Sequence, residues 1–210
     1  MRLNITLETK PELMVALKSA AASAEEYFSQ REVCETAESI GASGSMFRVF
    51  RNVDKPSLHY KNWAFDQISS SEFEHDVLML KSQDDFERFH LTLGGSLSDY
   101  WQAKTKQELI LPYKFKLLDV FIKRACELQL RNAQMNDILL SFGHVPLDKL
   151  VFDALDEMFS GVLLLQGHAM GKIKTDEAYH FYQKLIRDLM AELGLPALYF
   201  EYFAWNQRDA

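Results

Sequence analysis

Two Glu-x-x-His pairs, Glu87-Arg88-Phe89-His90 and Glu177-Ala178-Tyr179-His180, carry the sharpest chemistry in the chain. Residues three apart share a helix face, so each pair offers a carboxylate oxygen and an imidazole nitrogen to one ion. Helical bundles build di-metal carboxylate sites from two such pairs and one further glutamate on each of two other helices. Glu25 or Glu26, with Glu127, completes that order, and Fe, Mn or Zn is the chemistry implied. A glutamate-rich chain with 6 histidines also produces the spacing by chance. At roughly 100° per residue, His90 falls within the inward face of Phe86, Leu93 and Leu97. His180 lies nearly opposite the apolar arc of Ala178, Phe181, Tyr182, Leu185, Ile186 and Leu189. Glu127 groups with Lys123, Arg124 and Arg131, off its apolar face. Ligands of a bundle core must converge, and these diverge. The expectation is a buried His90 and an exposed His180, with the metal set Glu87, His90, Glu177 and His180 as the alternative reading.

Other motifs are weaker. Gly167-His168-Ala169-Met170-Gly171-Lys172 follows the apolar run Val162–Leu165, but a Walker loop has four residues between its glycines and Ser or Thr after the lysine. Here three residues intervene and Ile173 follows, so a turn between helices is expected. Lys116, Lys123, Arg124 and Arg131 form a basic stripe able to meet phosphates, with no helix-turn-helix to read bases; nucleic-acid contact is a second alternative. No Gly-x-Ser-x-Gly elbow occurs. Asp153, Asp156 and Glu157 read as solvated charges, and His75-Asp76 is a bare dipeptide.

The elements that must place these residues are mostly helical. Leu13, Leu17, Ala20, Ala24, Tyr27 and Phe28 predict a helix from Pro11 to about Ser39, with Thr9 and Glu12 as a capping box. Gly41 to Ser45 forms a hinge, so the chain reads as one domain, 1–210, with 1–40 as a hinged amino-terminal helix. Met46–Phe50 and Leu58–Trp63 are aromatic and flank turn residues at 52–56, which predicts a β-hairpin near 46–63. Ser82 caps a second helix, interrupted by Gly94-Gly95, which mark either close packing or a kink. Pro112 opens a third helix, Pro146 precedes a fourth, and Thr175 caps a fifth that stops at Gly194-Leu195-Pro196. Phe86, Leu93, Phe115, Phe121 and Leu155 should share one core. The fold class is a mainly α, bundle-like domain with a small hairpin.

With 210 residues, 48% of them apolar, the chain can bury a core without staples. Its net charge of −7 disfavours broad adsorption to polyanions. No apolar run approaches the ~20 residues of a membrane span, no leader pattern is evident, and the two cysteines, Cys34 and Cys126, form no disulfide framework. A cytoplasmic protein with no cofactor is expected. The carboxyl-terminal residues Leu198, Tyr199, Phe200, Tyr202, Phe203 and Trp205, with Leu195, sweep an apolar arc of about 220°, against the ~100° of a surface helix. That excess predicts a contact surface, taken up within the domain or by a homodimer. The leading expectation is therefore a non-enzymatic protein-interaction or regulatory module, leaning away from an enzyme.

Overall fold

The computed structural model describes residues 9–159 and 169–206. Nine α-helices are present among them: α1 (Pro11–Ser29), α2 (Pro56–Ser69), α3 (Ser71–Leu78), α4 (Gln83–Thr105), α5 (Leu111–Glu127), α6 (Ala133–Phe142), α7 (Lys149–Met158), α8 (Asp176–Glu192) and α9 (Leu198–Asn206). The mainly α, bundle-like class is as the sequence predicts. Several helix starts follow the local chemistry. Ser82 accepts from the Asp85 N–H, Asp148 from Val151 and Thr175 from Ala178, each satisfying an orphan donor. At α1 the expected Thr9 cap is absent: Lys10 is the cap residue, without a side-chain bond, and the helix stops at Ser29, ten residues early.

The hairpin expected at 46–63 does not form. Gly44–Val49 is a 3₁₀ turn and Pro56 opens α2, where Tyr60, Trp63 and Ala64 make one buried helical face. Aromatics at 47, 50, 60 and 63 suit either period, and Pro56, read as a turn residue, occupies a first-turn helical position. The small β element lies elsewhere. β1 (Glu32–Val33) pairs in parallel with β2 (Leu128–Gln129), tying the end of α1 to the end of α5.

α5 is the axis of the core, buried on nearly every side by α1, α4 and α6. Phe86, Leu93, Phe115, Phe121 and Leu155 do lie in one buried cluster. Gly94 explains the close approach of α4 to α5, because a Cβ there would stand 3.3 Å from Leu118 Cδ2. Gly95 faces open space. Gly95→Ala should therefore raise unfolding free energy by about 1 kcal/mol, whereas Gly94→Ala should give no such gain because it presses on Leu118. Urea denaturation of the two variants side by side checks this, and equal gains would mean that the helices are not in contact at Gly94.

α9 packs against α1, α7 and α8 and buries Leu198, Tyr199, Phe200 and Phe203; Tyr202 is half-buried. The apolar excess is thus absorbed within the chain, and of the proposed contact surface only Trp205, 50% accessible, is exposed. The argument for a second subunit loses its premise. Among the described residues no helix is long and apolar enough to cross a membrane. Both cysteines are free thiols, and Cys126 is buried. Of the glycine loop, 167–168 and the preceding run 162–165 lie outside the described residues; Met170–Lys172 is a short 3₁₀ turn.

A candidate metal centre between α4, α5 and α8

Three buried side chains that are far apart in sequence meet beside α5. His90 comes from α4, Asp119 from α5, and His144 from the extended segment between α6 and α7. One potential ligand atom from each lies within 4.8 Å of the other two. His90 Nε2 is 2.9 Å from Asp119 Oδ1. The phenol oxygen of Tyr179, on α8, sits 2.7 Å from Asp119 Oδ1 and 2.8 Å from His144 Nδ1. On its far side His144 Nε2 lies 3.0 Å from Glu87 Oε1.

Local packing fixes these groups. Gly94, one turn beyond His90, lets α4 approach α5 at the height of Asp119. Gly143, just before His144, is tighter still: an added Cβ would stand 2.5 Å from the Leu139 carbonyl oxygen and 3.0 Å from Leu198. Gln183, one turn along α8 from Tyr179, holds the His144 segment as a neighbouring strand would. Its Oε1 accepts from the Val145 N–H at 2.9 Å and its Nε2 donates to the Val145 carbonyl at 2.8 Å. The same Nε2 lies 3.4 Å from Asp119 Oδ2. The Tyr179 ring stacks on Phe115 with centroids 3.9 Å apart.

The protons do not suffice for these contacts. Glu87–His144–Tyr179–Asp119–His90 is a chain of four contacts, each needing one proton between its atoms. A neutral His144, the phenol and His90 Nε2–H supply three, and ionised carboxylates supply none. Burial pushes His144 below its ordinary value in spite of Glu87, so it is neutral. Burial opposes ionisation of Glu87, but the contacts from His144 and His180 outweigh it and hold the carboxyl well below the usual range. Burial and then the Asp119 carboxylate keep Tyr179 a phenol. The Tyr179 phenol thus has one proton for two acceptors, Asp119 Oδ1 and His144 Nδ1.

A cleft of about 260 Å³, lined by Glu87, Arg88, Leu91, Phe115, Asp176 and His180, reaches the cluster at His90. His180 Nδ1 lies 3.3 Å from Glu87 Oε2, and Arg187 Nη1 lies 3.4 Å from Oε1. The contact with Glu87 raises the His180 pKa against the effect of partial burial.

His90 is buried and His180, with 46% of its side chain accessible, is exposed, as expected. Of the sequence-derived metal set, Glu87, His90 and His180 stand at or beside the cluster, and Glu177 is exposed and does not line the cleft. Asp119, His144, Tyr179 and Gln183 are absent from that set. Glu127, expected off the apolar face, is buried and accepts from Tyr27 at 2.9 Å. The buried face of α8 is Tyr179, Tyr182, Gln183, Ile186, Leu189 and Met190, one residue around from the predicted arc, because Tyr179 and Gln183 turn their polar ends inward. In the basic stripe, Lys123 meets Glu201 at 2.9 Å and Arg124 meets Glu127 at 2.8 Å and also Glu32. Lys116 lines the cleft of about 340 Å³ beside them, and Arg131 is exposed.

The leading expectation, a non-enzymatic interaction module, is overturned by the buried convergence of His90, Asp119 and His144. Two imidazoles and one carboxylate gathered in the buried interior favour a metal-dependent enzyme instead. Comparison of the chain with protein-family models, with curated proteins and with solved structures gives no match.

Proposed function

We propose that the chain is a metal-dependent enzyme whose ion is held by His90, Asp119 and His144. The observation that carries this reading is the meeting of three buried ligand atoms within 4.8 Å from three separate segments. Two histidines and one carboxylate with further positions open suit Fe(II), and a similar set holds catalytic Zn(II). The surroundings support it. Ligating histidines characteristically donate their other ring N–H to a carboxylate, as His144 does to Glu87, and ligating carboxylates are themselves hydrogen-bonded, as Asp119 is by Gln183. A cation also makes good the proton shortage. The cleft at Leu91 and Phe115 brings a small molecule as far as His90, and an ion held behind it would act as a Lewis acid or redox centre.

The test is metal content. Whole protein stripped with chelator and re-exposed to Zn(II) or Fe(II) should retain one equivalent through gel filtration, measured by elemental analysis. His90→Ala and His144→Ala should lose it, and His75→Ala, at an exposed histidine, should keep it. Retention no greater than in the two alanine variants would sink the reading. A second equivalent, lost in Glu87→Gln or His180→Gln, would mean that the mouth recruits another ion and that the site is of the di-metal carboxylate type.

A further inference from the structure

We infer that Tyr179 is a fourth ligand of the metal, binding through its phenol oxygen as phenolate. The inference rests on the metal reading above and adds a residue to it. Two of the three proposed ligands, Asp119 Oδ1 and His144 Nδ1, already lie 2.7 and 2.8 Å from that oxygen. Ligand atoms about 2.1 Å from a shared ion stand roughly 3.0–3.4 Å from one another in octahedral or tetrahedral geometry. These contacts therefore need to open by only a few tenths of an ångström around an ion. The oxygen has no easy way out. The ring is fully buried and lies parallel to Phe115, and the His90 ring lies near parallel to that of Tyr179 with centroids 6.1 Å apart. Any ion bound by His90, Asp119 and His144 thus finds the phenol oxygen in its coordination sphere.

The step changes no oxidation state. The O–H bond breaks, its electron pair forms the oxygen–metal bond, and the proton passes to buffer. A phenolate is a hard, anionic oxygen donor and suits Fe(III) among common ions.

The experiment uses colour. Whole protein loaded with Fe(II) and oxidised in air should develop a broad visible absorption band from phenolate-to-Fe(III) charge transfer, with tyrosinate vibrations enhanced in the Raman spectrum excited within it. Tyr179→Phe should lose the band while keeping wild-type helicity by circular dichroism and one equivalent of Zn(II), bound at least tenfold more weakly. Tyr182→Phe, on the same helix but packed on Phe152, should keep the band. Stoichiometric iron without the band, or a band that survives in Tyr179→Phe, overturns the inference and leaves the metal reading standing. Failure of the wild type to retain any ion removes the metal reading and this inference with it.

Discussion

Asp119→Ala is expected to abolish metal retention and to destabilise the metal-free protein by about 3–5 kcal/mol. The carboxylate is fully buried and is the acceptor for His90, Tyr179 and Gln183. Truncation leaves those buried donors without their acceptor, at a cost of about 1–3 kcal/mol for each. Asp119→Asn separates structure from binding. It keeps an oxygen in place and removes the charge, so the protein should fold within about 2 kcal/mol of wild type yet bind Zn(II) at least 100-fold more weakly. That factor exceeds the roughly 10–100-fold usual for partners behind the ligands. Urea denaturation of metal-free protein gives the first quantity and calorimetric titration with Zn(II) the second. If Asp119→Asn binds zinc as wild type does, Asp119 is not a ligand.

The half of this site that lies on α4 was legible in the sequence, and the rest was not, for a physical reason. Glu87 and His90 are three residues apart on one helix, so helical phase alone puts them together. Asp119, His144 and Tyr179 come from elements whose arrangement the sequence does not display. Two of them are lone polar groups among apolar neighbours: Asp119 sits between Leu118 and Val120, and His144 between Gly143 and Val145. A signal was present at Asp119. It falls on the stripe of Phe115, Leu118, Ile122 and Cys126, and a carboxylate on the wholly buried side of a helix must be paired or bind a cation. The phase of α8 was misread because hydrophobicity was taken to point inward, whereas Tyr179 and Gln183 turn in to serve the site and leave Phe181 and Leu185 half-covered. Aromatic density misled at 46–63 in the same way, since bulky rings favour strands by propensity but here are spaced to fill one face of α2. The caps at Ser82 and Thr175 were readable because capping is local chemistry.

Zn(II) at about 1,000 times its dissociation constant is expected to raise the melting temperature by about 8–16 °C near pH 7.5. Binding confined to the folded state adds about 4 kcal/mol at that ratio, and each kcal/mol moves a chain of this size by about 2–4 °C. His144→Gln should show no such rise. The metal-free protein should in turn lose stability on acidification, and the sign follows from His144. Its folded pKa is depressed from 6.5 by burial, with Glu87, His90, Asp119 and Tyr179 as the titratable groups facing it. Below about pH 6.5 the unfolded chain binds a proton at this residue that the folded chain refuses. Unfolding free energy therefore falls as pH drops from about 6.5 toward the folded value, by up to about 1.4 kcal/mol per unit. His180 works the opposite way, because its folded pKa is raised. Its contribution is complete below about 6.5 and is lost as pH rises through the folded value, and solvent screens it since it is half exposed. Glu87, depressed from 4.5, stabilises above that value and is lost only in stronger acid. Between about pH 6.5 and 4.5 the slope thus reports His144, and the His180 contribution changes only above that window. His144→Gln should flatten it, and His180→Gln should leave it in place and alter the pH dependence only above about pH 6.5. A slope unchanged in His144→Gln would place the responsible proton outside this cluster and remove the case for a neutral, buried imidazole waiting for a metal.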